Sequence, residues 1–234
     1  MASRVRAVFL DAGGTLFRER SSRAAIYAAA ARAHGLDATE AQLAAAMRAS
    51  HDELPATIGG GFRYSRPWFE RFIADVFGRL GHRSLPPGLA PELFERFADA
   101  RTFRVFDDVV PALDELSRAG MVVGVVSNWS EGLARLLDRL GLQGRFAFVL
   151  ASAAERREKP GPALFRSALE RAGVAAPESM HVGDDLDKDY KSAIDAGLGA
   201  VLLDRAQRHE GFRGERIGSL VELPPLLRSR RSPG

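Results

Sequence analysis

The hydrophobic pattern divides the chain into a helical stretch and a stretch where strands and helices alternate. Residues 5–10 form a short run of apolar, β-branched and aromatic residues, which predicts a strand. Residues 21–103 show apolar positions at helical spacing and no strand-like run. This spacing predicts helices over residues 22–35, 38–54, 67–81 and 90–101. Thr39 is a suitable N-cap for the second helix, and the glycine-rich stretch TIGGGFRYSRP predicts a loop before the third.

From about residue 104, predicted strands and helices follow one another in turn. Strands are predicted over residues 121–128, 146–152, 180–184 and 199–203, and helices over 108–120, 129–141, 162–173 and 188–197. Such alternation indicates right-handed βαβ units and a parallel sheet. The isolated strand at 5–10 is expected to join that sheet. The helical block then becomes an insertion placed just after Asp11.

Composition and charge exclude several classes of function. The 234 residues suffice for one large domain, or for a main domain with a smaller one. Cysteine is absent, which excludes disulfides, thiolate metal sites and cysteine nucleophiles. The net charge is only +3, and the basic tail RSRRSPG is interpreted as a solvated terminus, so no nucleic-acid partner is expected. Neither a signal peptide nor an apolar run of ~20 residues is found, which predicts a cytoplasmic protein without a membrane segment.

The residues that follow the predicted strands form a chemically coherent group. In parallel sheets, ligands bind beyond the carboxyl ends of the strands. This chain places carboxylates, a hydroxyl, an amide and an isolated lysine there: Asp11, Ser127, Asn128, Lys159, Asp184, Asp185 and Asp189. Carboxylates that face one another repel unless a cation lies between them, and an all-oxygen ligand set favours Mg²⁺. Together with a lysine and a hydroxyl, Mg²⁺ would suit a phosphoryl group.

Four segments in order resemble the motifs of the haloacid dehalogenase (HAD) superfamily. DAGGTLF is similar to the first motif, usually D-x-D-x-T, and VVSN is similar to the second. EKPGPALF resembles the third motif, and HVGDDLDKDY resembles the fourth. The match spans roughly residues 5–205, and the ARAHGLDAT stretch resembles the rhythmically-expressed-protein-like branch, whose helical cap follows the first motif. The resemblance implies an α/β three-layer, Rossmann-like core (1–17 and 104–234) and an α-helical cap (18–103) of four or five helices.

The resemblance also implies roles for individual residues. Asp11 matches the nucleophile that forms an aspartyl-phosphate, Ser127 the hydroxyl that holds the phosphoryl group, and Lys159 the balancing cation. Thr15 and Asn128 are then expected near the substrate. The predicted Mg²⁺ ligands are Asp11, the carbonyl of Gly13, Asp184, Asp185 and Asp189. The strand that carries Asp11 is expected beside the strand that carries Asp184.

Position 13 departs from the family pattern. Most phosphatases of this family have a second aspartate there, which acts as general acid and then as general base. Gly13 cannot transfer a proton, and the loss of such a group costs ~10²–10⁴-fold in rate when the leaving group is poor. The penalty is smaller for an acidic leaving group, as in an aryl or acyl phosphate. Hence either Asp11 attacks without the help of a general acid at position 13, or ordinary phosphate esters are not the substrate.

Three related activities lack an aspartate at this position. Phosphonoacetaldehyde hydrolases need a lysine in the cap, and residues 1–158 contain none, which excludes this activity. Haloacid dehalogenases use the first aspartate to displace halide without a metal, and their fourth motif is typically less acidic than GDD. A weakly active or inactive binding protein is the third alternative. The favoured function is a Mg²⁺-dependent phosphatase acting on a small phosphorylated molecule, as a monomer or homodimer.

The cap is expected to select the substrate. Arg63 and Tyr64 follow the glycine-rich stretch and are predicted to contact an anionic substrate. Trp68 is interpreted as part of the cap core, and Trp129 as packing beneath the cap. His181 is interpreted as a packed strand residue. The other histidines, at positions 34, 51, 82 and 209, show no ligand spacing and are predicted to lie on the surface.

Overall fold

A computed structural model describes residues 4–229, so most of the basic tail, residues 230–234, lies outside the described residues. Within the described range, six parallel strands form the central sheet: β1 (Ala7–Leu10), β6 (Val122–Ser127), β7 (Phe148–Ala151), β8 (Ser179–Gly183), β9 (Gly199–Leu203) and β10 (Arg216–Ile217). Their order is β10-β9-β8-β1-β6-β7. The predicted α/β fold is confirmed, and β1 lies beside β8 as expected.

Shorter strands form two antiparallel pairs outside the central sheet. β2 (Phe17–Glu19) pairs with β5 (Phe103–Val105), and β3 (Thr57–Ile58) pairs with β4 (Gly61–Phe62). The first pair joins the two chain segments that lead into and out of the cap. The predicted cap boundaries, residues 18 and 103, both lie on this pair.

Helices of the described chain fall into a cap group and a core group. The cap group consists of α1 (Arg23–Ala33), α2 (Glu40–Glu53), α3 (Arg66–Arg79) and α4 (Leu89–Arg96). The core group consists of α5 (Val109–Arg118), α6 (Leu133–Leu137), α7 (Ser152–Glu155), α8 (Pro162–Ala172), α9 (Ser192–Asp195) and α10 (Leu223–Ser229). Helical turns over Asp138–Leu142 and Leu186–Lys191 extend α6 and precede α9. Single 3₁₀ turns span Ala100–Thr102, Ala176–Glu178 and Leu220–Glu222.

The sheet is buried on both faces, as a parallel sheet requires. All four residues of β1 are buried, because its side chains point alternately to the two sides. Phe9 packs with Phe165 of α8 on one face. Val8 packs with Leu113 of α5 and other residues of that group on the opposite face. Helices therefore cover both faces of the sheet and complete the three layers.

The cap has a hydrophobic core of its own. Tyr27, Leu43, Trp68 and Phe77, contributed by α1, α2 and α3, are almost completely buried in it. Thr39 caps α2 as predicted, because its hydroxyl accepts a hydrogen bond from the backbone N–H of Gln42 at 3.3 Å. Trp68 belongs to the cap core, as the sequence predicts.

The prediction of no strands in the cap is wrong, because part of the predicted loop forms the hairpin β3–β4. Gly59 and Gly60 at its tip have φ angles of 58° and 78°. A two-residue turn with positive φ at both positions matches the twist of the flanking strands. A pair of two-residue strands is too short to produce a recognisable alternation of apolar and polar residues.

Two predicted helices are shorter in the structure. The helix predicted from Trp129 begins at Leu133, because the backbone of Trp129 is bound to Ser152 instead of entering a helix. The helix predicted to reach residue 101 ends at Arg96. There Asp99 caps a new 3₁₀ turn by accepting a hydrogen bond from Arg101 N–H at 2.9 Å.

Asp108 fastens the carboxyl-terminal segment to the core. Its carboxylate accepts hydrogen bonds from Arg205 at 2.7 and 3.0 Å, from the Ser219 hydroxyl at 2.6 Å and from Leu220 N–H at 2.7 Å. Arg205 also donates to the carbonyl of Thr15 at 2.9 Å. Burial alone would raise the pKa of Asp108, but these hydrogen bonds hold it below its ordinary value of 3.8.

We therefore expect Asp108→Asn to reduce the free energy of unfolding by about 2–3 kcal/mol at pH 7, because Arg205 loses its partner in a partly buried site. A lowered folded-state pKa gives stability that is present above the ordinary pKa and is lost as the pH falls through the folded-state value. The difference between wild type and variant should therefore begin to shrink below about pH 4 and decrease further as the pH falls through the folded-state pKa. Urea unfolding between pH 3 and 8 measures it. Asp107→Asn, which changes an exposed neighbour, should leave the midpoint unchanged.

Candidate active site

Three carboxylates meet at the carboxyl ends of β1 and β8. Asp11 follows β1 directly, and its N–H still donates to the carbonyl of Val182 in β8 at 2.9 Å. Asp184 follows β8, and Asp189 reaches back from the next helical turn. One oxygen from each of these carboxylates lies within 4.8 Å of the others. The predicted convergence of strand ends therefore brings Asp11, Asp184 and Asp189 together.

Lys159 supplies the positive charge within this cluster. Its ammonium donates to Asp11 Oδ1 at 2.8 Å and also to Asp189 Oδ1. Both Lys159 and Asp189 are only 2% exposed. Burial alone would lower the pKa of Lys159, but the charges of Asp11 and Asp189 raise it. Lys159 is therefore fully charged and fixed between two carboxylates.

The two carboxylates bound to Lys159 differ electrostatically. Burial alone would raise the pKa of Asp189, but the charge of Lys159 and a hydrogen bond from His181 hold it well below its usual range. Burial raises the pKa of Asp11 despite the nearby ammonium. Asp189 uses Oδ1 for Lys159 and His181 and Oδ2 for Asp185 N–H, whereas Asp11 bonds through Oδ1 alone within residues 4–229. Asp11 Oδ2 thus remains available for chemistry, while Asp189 holds Lys159.

Asp184 lies at the open side of the cluster. Desolvation by the surrounding protein and the charges of Asp11 and Asp189 raise the pKa of Asp184 to about 7, although the residue is exposed. Gly14, with φ of 79°, lies against the Asp184 carboxylate, and a Cβ at this position would collide with it. The second glycine of DAGGTLF therefore leaves space for Asp184.

Asp185 is placed differently from the prediction that it binds metal. Its Oδ1 accepts hydrogen bonds from the backbone N–H groups of Asp187 at 3.0 Å and Lys188 at 2.9 Å, which caps the following helical turn. It does not belong to the three-carboxylate group. The reason is local, because an aspartate directly before a helix satisfies the first unpaired N–H groups.

Ser127 and Asn128 end the neighbouring strand β6, and their side chains are used differently. Ser127 is buried, and its hydroxyl makes no hydrogen bond to any residue within 4–229. Asn128 donates through Nδ2 to the carbonyl of Lys159 at 2.5 Å, and its Oδ1 accepts from Lys159 N–H at 2.8 Å. The Asn128 amide therefore fixes the backbone that carries Lys159.

Position 13 is covered by an aromatic ring. A Cβ at Gly13 would lie 3.1 Å from Cζ3 of Trp129. Trp129 in turn packs edge-on against Phe17 and Phe103, with ring centroids 5.4 and 5.8 Å away. A side chain at position 13 would thus press against a ring that is held by two others. Trp129 packs beneath the cap, as predicted, and also accounts for the glycine.

Only some of the residues predicted to contact the substrate line an open cavity. Tyr64 and Asn128 line the space between cap and core. Thr15 is fully buried, and its hydroxyl has no hydrogen-bond partner within the described chain. Arg63 is bound to Glu158 at 3.1 Å and to the carbonyls of His51 and Leu54, so each of its three nitrogens already contacts an oxygen of the protein. The structure therefore gives Arg63 a role in joining cap to core.

His181 is a buried strand residue, as predicted, but sequence reasoning missed its contact with the cluster and the contacts of His51 and Glu158. Nε2 of His181 lies 2.9 Å from Asp189 Oδ1. Burial and the charge of Lys159 lower the pKa of His181, so the neutral ring donates this hydrogen bond. A polar residue inside the apolar strand before GDD was the available signal. His51 is not a simple surface residue, since it lines the cavity and bonds to the Tyr64 hydroxyl at 3.0 Å.

No helix within residues 4–229 has the length and apolar character needed to cross a membrane.

Comparisons with known proteins agree with this geometry. The family model for haloacid dehalogenase-like hydrolases matches residues 5–197. The chain is 34% identical over 233 residues to haloacid dehalogenase-like hydrolase domain-containing protein 3 of Danio rerio, covering 95% of this chain and 96% of that protein. The structure of a HAD phosphatase from Thermococcus onnurineus superposes with a TM-score of 0.68 at 25% identity, over 95% of this chain and 98% of the other. That of 2-haloacid dehalogenase from Pseudomonas syringae pv. tomato superposes with a TM-score of 0.69 at 26% identity, over 97% and 100%. The chain belongs to the haloacid dehalogenase-like hydrolases.

Proposed function

We propose that this hydrolase is a Mg²⁺-dependent phosphatase that transfers the phosphoryl group of a small phosphomonoester to Asp11. The observation that supports the proposal is the cluster itself. Asp11 is held by Lys159 at 2.8 Å and shares the site with two further carboxylates. A site that only displaces halide has no chemical need for the exposed Asp184 beside the nucleophile.

The residues present fit a magnesium ion. Three carboxylates face a single ammonium, and desolvation together with the charges of Asp11 and Asp189 raises the pKa of Asp184 to about 7. Asp11 Oδ2, Asp184 and the carbonyl of Gly13 would hold the ion, with Asp189 supporting the set. Oxygen ligands of this kind suit Mg²⁺. When bound, the ion would supply positive charge at the phosphoryl oxygens.

Each side chain of the site then has its own role in the reaction. Asp11 attacks phosphorus, a new bond forms between its oxygen and phosphorus, and the ester oxygen departs with the bonding electron pair. Lys159 and the Ser127 hydroxyl hold the phosphoryl oxygens during transfer. Water then attacks the aspartyl-phosphate and releases inorganic phosphate and free Asp11, its proton passing to solvent. Asn128 holds the backbone of Lys159 in place during both steps.

The first experiment is hydrolysis of p-nitrophenyl phosphate with added Mg²⁺ and with EDTA. Phosphate release that requires Mg²⁺ is expected, and EDTA should reduce it to the background rate. Halide release from 2-chloropropionate, measured in parallel, should be absent. Halide release without a metal, in place of phosphate release, would establish the dehalogenase alternative. A protein that does neither would be a binding protein on this fold.

Gly13→Asp tests whether the missing acid alone limits the hydrolysis of alkyl phosphates. The single variant should raise kcat for 2-phosphoglycolate by less than about tenfold, because Trp129 lies 3.1 Å from the new Cβ. Gly13→Asp combined with Trp129→Leu should raise it by about 10²-fold or more, the ordinary effect of a general acid. Gly13→Ala, which adds the Cβ without the acid, is the control. Equal gains in the single and double variants would show that Trp129 does not restrict position 13.

A further inference from the structure

A cavity of about 430 Å³ lies between the cap and the carboxyl end of the sheet. Of the sixteen described residues that line it, eight are aromatic. Small-molecule sites generally contain apolar walls with a few placed polar groups, and this volume falls within their usual range of ~300–1,000 Å³. The aromatic share is large for an enzyme whose substrates would be small, polar phosphates.

The lining rings pack on one another both face to face and edge to face. Trp68 and Phe72 are stacked, with centroids 5.2 Å apart and planes inclined by 16°. Phe69 and Phe94 meet edge to face, with centroids 5.5 Å apart. Aromatic rings favour such offset and perpendicular arrangements with one another. An aromatic group in the cavity would make contacts of the same kind with the half-buried rings of Phe69 and Phe94.

The cavity shares a wall with the catalytic cluster. Asn128 and Trp129 line it and follow Ser127 directly along the chain. The Asn128 amide is bound to both backbone polar groups of Lys159, whose ammonium contacts Asp11. Trp129 covers Gly13, two residues after Asp11. Two residues that adjoin or hold the catalytic cluster therefore also form part of the cavity wall.

The polar groups on the cavity wall favour an anion. Arg23, Arg48 and Lys188 carry positive charge there, and Asp52 is the one carboxylate among the described lining residues. Arg23 is paired with Glu19 and Lys188 with Asp185, so Arg48 is the lining cation that no carboxylate within residues 4–229 pairs. Its charge would attract a negatively charged substrate.

The glycine at position 13 also restricts the leaving group, and this restriction does not depend on the cavity. Without a proton donor, the departing oxygen must leave as an anion. An alkanol ionises about as poorly as water, whose pKa is about 15.7, whereas a phenol has a pKa of about 10. An aryloxide is therefore a much better unassisted leaving group than an alkoxide.

These two observations converge, and we propose that the substrates are aryl phosphates, monoesters of a phenolic hydroxyl whose ring occupies the aromatic cavity. The proposal rests on the phosphatase function proposed above. In the first step the Asp11 oxygen–phosphorus bond forms and the aryl oxygen–phosphorus bond breaks. The aryloxide leaves with the electron pair and takes its proton from solvent.

Four phosphate compounds separate the effect of the ring from that of the leaving group. Phenyl phosphate has a ring and an acidic leaving group, and benzyl phosphate has a ring and a poor one. Acetyl phosphate and 2-phosphoglycolate are the corresponding pair without a ring. Both ring compounds should show a KM at least about tenfold lower than their partners without a ring, which is an ordinary effect for burying one aromatic group. The kcat/KM for benzyl phosphate, which reports the transfer step, should be ~10²–10⁴-fold below that for phenyl phosphate.

Phe69→Leu reports on the cavity itself. It should raise the KM for phenyl phosphate and reduce the kcat/KM ratio of phenyl to acetyl phosphate at least about fivefold, an effect the size of one lost aromatic contact. Phe146→Leu changes a half-buried phenylalanine that packs on the main core, and should leave that ratio unchanged.

The outcomes distinguish the two proposals. Hydrolysis of acetyl phosphate and 2-phosphoglycolate without a KM advantage for the ring compounds would overturn the aryl assignment and leave the phosphatase function standing. Equal kcat/KM for benzyl and phenyl phosphate would reveal a proton donor in the transfer step and would also overturn it. If none of the four compounds, acetyl phosphate included, is hydrolysed with Mg²⁺, the phosphatase function itself fails.

Discussion

Asp11→Asn should reduce phosphate release by at least about 10³-fold, because an amide oxygen is a far weaker nucleophile than a carboxylate and cannot form the acyl-phosphate. The substitution preserves shape, and Lys159 keeps its contact with Asp189. The fold should therefore survive. Initial rates with p-nitrophenyl phosphate and Mg²⁺, together with circular dichroism and a thermal melt, measure both effects.

Asp184→Asn is the matched comparison. It removes a carboxylate of the same cluster that has no contact with the Lys159 ammonium. Its activity should fall as well, but saturating Mg²⁺ should restore part of it, whereas no Mg²⁺ concentration should restore Asp11→Asn. Turnover that survives in Asp11→Asn at more than about a tenth of the wild-type rate would contradict the role of Asp11 as nucleophile.

The parts of the fold that follow from local sequence were predictable. The apolar runs before Asp11 and Asp184 are buried on both faces, so their hydrophobicity alone marks them as strands of a parallel sheet. The N-cap Thr39 was visible for a similar reason, since its interaction with Gln42 spans only three residues. The hairpin β3–β4 was missed because its strands contain two residues each.

The candidate site was predictable as a set of strand ends but not as a set of contacts. The carboxyl ends of parallel strands lie at the same edge of the sheet. The segments that follow these strands are therefore expected to bring Asp11, Asp184 and Lys159 together. The positions of these segments do not determine which carboxylate faces the cluster. Asp185 turns to the helical turn behind it, since two backbone N–H groups lie within reach of its side chain.

Contacts between segments far apart in the chain could not be predicted from local sequence patterns. Arg63 is bound to Glu158, 95 residues away, and Trp129 closes the space above Gly13, 116 residues away. Neither pairing leaves a periodic signal. The sequence alone therefore shows only that position 13 lacks an acid. The structure adds that a side chain there would contact the ring of Trp129.

Lys159 has the largest expected effect on stability. Its ammonium joins two buried carboxylates, so Lys159→Met leaves Asp11 and Asp189 close together without a counter-charge. Breaking a buried ion pair by removing one partner typically costs 3–5 kcal/mol. We expect a loss of about this size in the free energy of unfolding, measured by urea denaturation at pH 7 without added metal. Activity should fall at least about 10²-fold, because the transferring phosphoryl group also loses this charge.

Two further measurements show that the loss is electrostatic and not a packing effect. Lys159→Met combined with Asp189→Asn should recover part of the lost stability, because it removes the charge that lacks a partner. Added Mg²⁺ should stabilise Lys159→Met more than wild type, since a divalent cation then relieves a larger repulsion between the carboxylates. Lys191→Met removes an exposed lysine paired with Asp187 and should leave the unfolding midpoint unchanged. If Lys159→Met unfolds at the wild-type urea concentration, the buried charge network described here does not hold the site together.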